Sequence, residues 1–269
     1  MGAHFVWAIK KIFFWKTPDI LQVFTINLLP KALFPSKPTI TRVVGGVYFV
    51  RYGNECFFTR APRYLKSCMK EEMLKKYTLP GFLEVHKGDT VVDVGAFVGG
   101  FSIAAASKAK KVVAIEPDPQ NFRILEMNVK LHKLRNVLLI NKALWNKTCR
   151  MKLHLSRDPT SSSLLKTRDQ NLDKYEEIEA IRLDELASRL GIERIDFLKM
   201  DAEGAEIEVL KGTDLGKTKG VAIDCSPERF GRSPIHGVKR ILERAGFDIR
   251  VVGDMIYARK FQRKHDSFR

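Results

Sequence analysis

Asp93 sits inside Val91-Val92-Asp93-Val94-Gly95-Ala96-Phe97-Val98-Gly99-Gly100, an apolar strand-like run that enters a glycine-rich turn. In an open α/β sheet, a ligand binds beyond the carboxyl ends of the strands, where a strand turns into its helix. Glycines at 95 and 99 leave backbone there without a Cβ in the way. Glu116 closes a second run, Val112-Val113-Ala114-Ile115, 21 residues after Gly95. That is close to the ~20 expected of an acid that holds a ribose diol through two acceptor oxygens. Asp201 closes a third run, Ile195-Asp196-Phe197-Leu198-Lys199-Met200, and is followed by Glu203 and Glu206. Acids in a first helical turn are also favoured by the macrodipole alone. Asp201 differs from them, since it falls at the carboxyl edge of a central strand.

The spacing Gly-x-x-x-Gly after Asp93 departs from the Gly-x-Gly-x-x-Gly turn that accommodates a pyrophosphate, which weakens a nicotinamide dehydrogenase reading. A carboxylate aimed at the turn suits a cationic or amino-bearing ligand, and S-adenosylmethionine is one. Asp201 is the first candidate for a general base or for orienting an acceptor. Asp224 and His236 follow it, His236 reading rather as a surface or helix-start residue. Asp201 and Asp224 together lack an evident third ligand, so no metal site is expected.

The elements around these acids alternate. Strands are expected at 90–94, 111–115, 137–140, 195–200 and 220–225, and helices at 101–107, 119–132, 183–190, 205–210 and 235–245. A closing hairpin, 247–252 and 255–259, turns at Gly253-Asp254. This rhythm predicts a doubly wound, mostly parallel α/β sheet with one antiparallel strand. A polar stretch from Ser156 to Glu179 interrupts it. Within that stretch Thr160-Ser161-Ser162-Ser163 reads as a mobile loop, either a plain connector or a lid. Upstream, Gly45-Gly46 and Gly53-Asn54 punctuate a small β-meander over 39–60, and apolar spacing predicts a helix from Arg63 to Leu79.

The motifs resemble the FkbM-type methyltransferases that depend on S-adenosylmethionine. The resemblance covers residues 70 to 259. It rests on Val91 to Gly99, on Ala114-Ile115-Glu116-Pro117 with Asn121, and on Asn141-Lys142-Ala143-Leu144. Arg182-Leu183-Asp184-Glu185-Leu186 and the block from Asp196 to Glu206, followed by Val209-Leu210-Lys211-Gly212, complete it. The family usually has Asn where this chain has Phe97, and often Glu-x-His where it has Asp224-Cys225-Ser226. The resemblance implies a seven-stranded Rossmann-like sheet with helices on both faces. It places Asp93, Gly95 and Gly99 around the methionine part, Glu116 on the ribose, and Ala143 and Leu144 near adenine. Ala96, Pro117, Asn121 and Asp201 complete the implied cofactor side. By analogy the acceptor is a hydroxyl of a sugar, glycan or related metabolite.

Composition frames the remaining expectations. Of 269 residues, 45% are hydrophobic and 29% charged, which excludes disorder, collagen and disulfide-scaffold classes. Lys and Arg number 47 against 31 Asp and Glu, a net charge of +16. Residues 1–80 hold 13 basic against 4 acidic residues, a disproportionate share. This surplus suits phosphates, anionic lipid or acidic glycan, or simply a solvated surface. It motivates two alternatives: an RNA methyltransferase that grips phosphates through its N-terminal region, and a non-catalytic cofactor-binding scaffold. Three divisions follow: a basic, aromatic arm with meander and lead-in helix over 1–80, the catalytic domain over 81–260, and a basic tail over 261–269. The arm scatters Lys10, Lys11 and Lys16 around a helical wheel, so packing on the domain or on a second subunit competes with peripheral membrane contact through residues 1–30. No run approaches the ~20 apolar residues of a membrane span, and the expected location is cytoplasmic. The four cysteines, 56, 68, 149 and 225, read as reduced thiols, with a Cys56–Cys68 disulfide as the alternative.

Overall fold

The computed structural model describes residues 38–43, 46–60, 62–156, 162–165, 170–229 and 231–260. The expected arm over residues 1–37, the basic tail, and Thr160 and Ser161 lie outside them. The chain divides into two units, residues 1–69 and 70–269.

In the first unit, β1 (Thr39–Arg42), β2 (Tyr48–Tyr52) and β3 (Glu55–Thr59) form the expected antiparallel meander. Tyr52 pairs with Glu55 across a turn in which Gly53 takes φ +56, a backbone state that strains a residue with a Cβ. Phe49 and Phe58 face each other with ring centroids 5.1 Å apart. A 3₁₀ segment, Pro62–Cys68, follows. The Cys56–Cys68 disulfide does not form: all four cysteines are free thiols. Burial pushes the Cys68 thiol up to about 12.

The second unit begins with α1 (Lys70–Tyr77), so the single helix expected over 63–79 is a 3₁₀ segment and a shorter α-helix. The Thr78 hydroxyl donates to the Leu74 carbonyl at 2.7 Å, and Leu79 enters a bridge with Leu83, which ends the helix. The division between units thus falls ahead of α1 rather than at residue 80. Tyr77 is fully buried, edge-on to Phe101 with centroids 5.5 Å apart, and belongs to the sheet's core.

The alternation then runs as expected, within a residue or two. It comprises β4 (Thr90–Val94), α2 (Gly100–Ala106), β5 (Lys111–Ile115), α3 (Pro119–Leu131) and β6 (Val137–Ile140). After β7 (Ala143–Leu144), β8 (Cys149–Ser156) and β9 (Gln170–Ile181) come α4 (Leu183–Arg189), β10 (Ile195–Met200), α5 (Glu206–Lys211), β11 (Thr218–Asp224) and α6 (Ile235–Arg244). β12 (Phe247–Val252) and β13 (Met255–Lys260) close the chain.

Seven strands form one sheet in the order β12-β13-β11-β10-β4-β5-β6, parallel except for β13. Alternate side chains load its two faces. Val92, Leu198, Val221 and Ile256 meet α4, α5 and α6, while Val91, Phe197, Ala222 and Tyr257 meet α1 and α2. Burial on both faces explains why the central strands read as nearly unbroken apolar runs. α3 starts on an Asp118 cap, whose Oδ1 accepts from Gln120 N and Asn121 N at 2.8 and 3.2 Å.

The polar stretch over 156–179 interrupts the alternation as expected, and from Gln170 it is strand: β8 and β9 form an antiparallel hairpin that carries β7 on its other side. Lys174, Tyr175, Glu176 and Glu177 are exposed in succession, so this part of β9 shows no alternation, although Leu153 and His154 of β8 and Ala180 and Ile181 of β9 are buried. Periodicity cannot reveal a strand segment that is wet on both sides. No helix of the described residues is long and apolar enough to cross a membrane.

Candidate active site

The carboxyl ends of β4, β5, β10 and β11 meet along one edge. At its centre the chain leaves β4 through Gly95, at φ +69, and a Cβ there would overlap the carbonyl oxygen of Asp201. A Cβ on Gly99, at φ +98, would come 2.6 Å from Leu125 Cδ1. Gly95 is therefore required by the protein's own packing and Gly99 by its backbone conformation, not only by the approach of a ligand. Phe97 is also left-handed at φ +53, and its N–H donates to Glu116 Oε2 at 2.7 Å.

Beneath the turn lies Lys199, 2% exposed, the residue before the last of β10. Its ammonium donates to the carbonyls of Val94 and Gly95 at 3.1 and 2.6 Å and pairs with Asp93 at 2.9 Å. It also lies 5.0 Å from the centre of the Tyr77 ring. Asp93 additionally accepts from the Ser102 hydroxyl at 2.6 Å and is fully buried. The carboxylate expected beside the methionine part is thus turned inward, holding the buried cation that holds the turn. A charge inside a strand must be paired in this way, since its desolvation is otherwise uncompensated.

Glu116, 5% exposed, accepts from Phe97 N through Oε2 and from Asp118 N, at 3.0 Å, through Oε1. Burial raises its carboxyl to about 8 despite those two bonds. Asn141 Nδ2 donates to the carbonyls of Glu116 and Pro117 at 2.8 and 3.3 Å, which fixes the loop carrying both residues. Ala96 and Asn121 are buried nearby in the turn and in the first turn of α3. Ala143 and Leu144 are also buried, paired as β7 with Ala180 and Ile181.

At the other half of the edge, α1 delivers two residues absent from the sequence-based site. Tyr77 donates its hydroxyl to Asp201 Oδ2 in a short hydrogen bond. Lys76 places its ammonium 3.3 Å from the same oxygen and 2.7 Å from Asp224 Oδ2. Its own carbonyl accepts from the Tyr257 hydroxyl at 2.6 Å, which ties α1 to β13. Burial pushes the Asp201 carboxyl up, but Lys76, then Lys199 and the Tyr77 hydroxyl, outweigh it and hold it below the usual range. Burial likewise pulls the Lys76 ammonium down, and Asp201 and Asp224 override it, so its pKa ends above the ordinary value. Asp224 also accepts from Ser226 N and Oγ at 2.9 and 2.6 Å. Asp201 and Asp224, expected as neighbours, are therefore joined by a shared cation. His236 is exposed in the first turn of α6 and takes no part in this cluster.

A carboxyl-rich rim borders Asp201. Carboxylate oxygens of Asp201, Glu203 and Glu228 lie within 4.8 Å of one another, so the companions of Asp201 here are not the Asp224 considered from sequence. Burial, then the charge of Asp201, raises Glu203 well above its ordinary value and Glu228 to about 9. The β8–β9 hairpin sends a short segment across the edge. Ser162 Oγ donates to Asp118 Oδ2 at 3.0 Å, and Ser163 Oγ donates to the Glu203 carbonyl at 2.7 Å. Ser163 also exchanges backbone bonds of 2.9 and 3.1 Å with His154.

Lys199 was visible in the sequence as a lysine inside an apolar run. Lys76 and Tyr77 were visible only as residues of a short amphipathic helix, with nothing to link them to Asp201.

The model of the methyltransferase FkbM domain matches residues 93–249, more than half of the chain. Methyltransferase sdnD of Sordaria araneosa is 30% identical over 195 residues, 59% of this chain and 73% of that protein. A tRNA (guanine(37)-N(1))-methyltransferase of Danio rerio is 50% identical over 50 residues, 19% of this chain and 10% of that one. The crystal structure of methyltransferase FkbM from Methylobacillus flagellatus aligns with a TM-score of 0.49 at 20% identity, over 71% of this chain and 50% of that one. The chain thus spans half the length of that solved protein.

Proposed function

The chain belongs to the FkbM methyltransferase family, and from that premise we propose that it transfers a methyl group from S-adenosylmethionine to a hydroxyl of a sugar, glycan or related metabolite. One observation carries the reading: Asp201, partly open to solvent at the carboxyl edge of β10, is kept ionised by two side chains that, among the described residues, occupy only its Oδ2. Oδ1 is left to meet a ligand.

The residues present fit the donor. Asp201 and the bare turn at Gly95 offer negative charge and backbone to an ammonium and a sulfonium, and Glu116 offers two acceptor oxygens to a ribose diol. When bound, the donor supplies an electrophilic methyl group on an already activated leaving group. The chain's task is then mainly to align the acceptor oxygen, and alignment supplies roughly 7–11 kcal/mol of such a barrier. Asp201 Oδ1 accepts the acceptor's hydroxyl hydrogen, which fixes the oxygen lone pair. The acceptor's proton becomes far more acidic as its oxygen gains the methyl group, so a carboxylate of low pKa suffices to take it. Lys76 keeps that carboxylate charged, and Asp224, held by Ser226, keeps Lys76 in place.

The RNA alternative rests on the basic composition and on the short tRNA-methyltransferase match, which is confined to 50 residues. Labelled donor, offered with polyols and sugars, amines, and tRNA or rRNA, tests both readings. Label on an ether oxygen of a small acceptor is expected. Label confined to nitrogen or carbon removes the oxygen assignment, and label in RNA alone favours the alternative.

A further inference from the structure

The edge opposite the active site carries a second chemical signature. β4, β5 and β6 are parallel, so the segments that enter them share the amino edge of the sheet. Three such segments are bonded into one surface. Lys110 N donates to the Asp89 carbonyl at 2.9 Å, Val112 N to the Asn136 carbonyl at 2.8 Å, and Asn136 Nδ2 to the carbonyls of Ala106 and Ala109 at 2.9 and 3.0 Å. From that surface project Lys87, Lys108, Lys110, Lys130, Lys133 and Arg135, all exposed. None of these six makes an ion pair within the described residues. The acids of these segments, Asp89 and Glu126, are outnumbered by the six cations. Asp89 Oδ2 accepts from His86 N at 2.7 Å, and Glu126 is half-buried on α3.

Lysines at helix C-termini are favoured by the macrodipole. That accounts for Lys108 and Lys130 beside the ends of α2 and α3, but not for Lys87, Lys110, Lys133 or Arg135. Elsewhere in the second unit Lys219 and Arg194 both pair with Asp196, and Arg229 pairs with Glu208, but exposed cations without an ion pair among the described residues, such as Arg150 and Arg244, occur there as well. This edge differs in carrying six of them on three adjoining segments.

We propose that this edge docks on an anionic membrane surface, independently of residues 1–30 and of the methyl-transfer reading. Six basic side chains match the size of cluster that binds acidic headgroups. Nucleic acid fits less well on two counts. No exposed aromatic side chain stands among the six as a stacking platform. The five residues of β4 also separate the patch from the active-site edge by about 17 Å, so phosphates bound here would not lead an acceptor base into the site. A membrane needs only a face, and docking by this one leaves the active-site edge turned away from the bilayer.

Flotation of the full chain with vesicles tests this. Vesicles of phosphatidylcholine containing phosphatidylserine are expected to carry the protein at low salt and to release it as salt rises, whereas phosphatidylcholine alone carries none. Replacing Lys108, Lys110, Lys130 and Lys133 by Gln is expected to weaken vesicle binding by about fivefold per charge, at least a hundredfold in all. The same variant should keep its thermal midpoint and its affinity for S-adenosylmethionine. A second variant, Lys10→Gln with Lys11→Gln and Lys16→Gln, separates the arm from the patch. Binding abolished by the arm variant and untouched by the patch variant overturns the proposal. So does absence of vesicle binding, and so does patch-dependent binding of duplex RNA without vesicle binding.

Discussion

The ammonium of Lys76 lies 2.7 Å from Oδ2 of Asp224, and the same nitrogen reaches Oδ2 of Asp201 at 3.3 Å. One cation from α1 therefore links the carboxyl ends of two neighbouring strands, β10 and β11. The Asp201 carboxyl is held below its usual range chiefly by a helix that precedes the whole strand-helix alternation.

Lys76→Met is expected to lower kcat/KM on the order of 10², as loss of one preorganised electrostatic partner does. Affinity for S-adenosylmethionine by calorimetry should fall by less, since Glu116 and the Gly95 turn still hold the donor. Without Lys76 the Asp201 carboxyl rises, so the acid limb of the pH–rate profile moves to higher pH. An unshifted limb would show that Lys76 is merely structural.

Glu116 binds its proton more tightly in the folded protein, at about 8, than an ordinary glutamate does. Between about 4.5 and 8 the folded state therefore holds a proton that the unfolded chain has released, and the ligand-free protein loses stability as pH rises through that window. Glu116→Gln should flatten this decline and raise the thermal midpoint at pH 8. The same change should weaken donor binding about 10- to 100-fold. Because the ionised carboxylate is the better diol acceptor, binding near neutrality should release a proton, measurable as different heats in phosphate and Tris.

Gly95→Ala meets both a left-handed backbone and the carbonyl of Asp201. A loss of at least about 3 kcal/mol in chemical denaturation is expected, with donor binding lost as well. A variant that folds and binds normally would mean that the β4 turn and Asp201 are not packed this closely.

Lys199→Met strands the buried Asp93 carboxylate, at an expected cost of about 3–5 kcal/mol. Adding Asp93→Asn should recover much of that stability, since no buried charge then lacks its counterpart. Strict additivity of the two changes in a double-mutant cycle would refute the pairing.

The strand-helix order was legible because each central strand is apolar on both faces and each helix carries its own period. Asp93, Glu116 and Asp201 could be found because each stands where an apolar run stops or is broken by charge. β9 was not legible, since the exposed run from Lys174 to Glu177 has no pattern of burial to print on its residues. What Asp93 and the glycines do also differed from expectation: the acid faces Lys199, and the Cβ positions of Gly95 and Gly99 are filled by protein.

By itself, then, the sequence determined which backbone segments form the sheet and which acids reach its carboxyl edge, because local periodicity and turn chemistry act over a few residues. Only the tertiary structure decided which partners set the charge of those acids. Tyr77 meets Asp201 across 124 positions of chain and Lys199 meets Gly95 across 104. Such pairings follow from how helices pack on the sheet, where a buried charge must find its counterpart, and no local pattern records them.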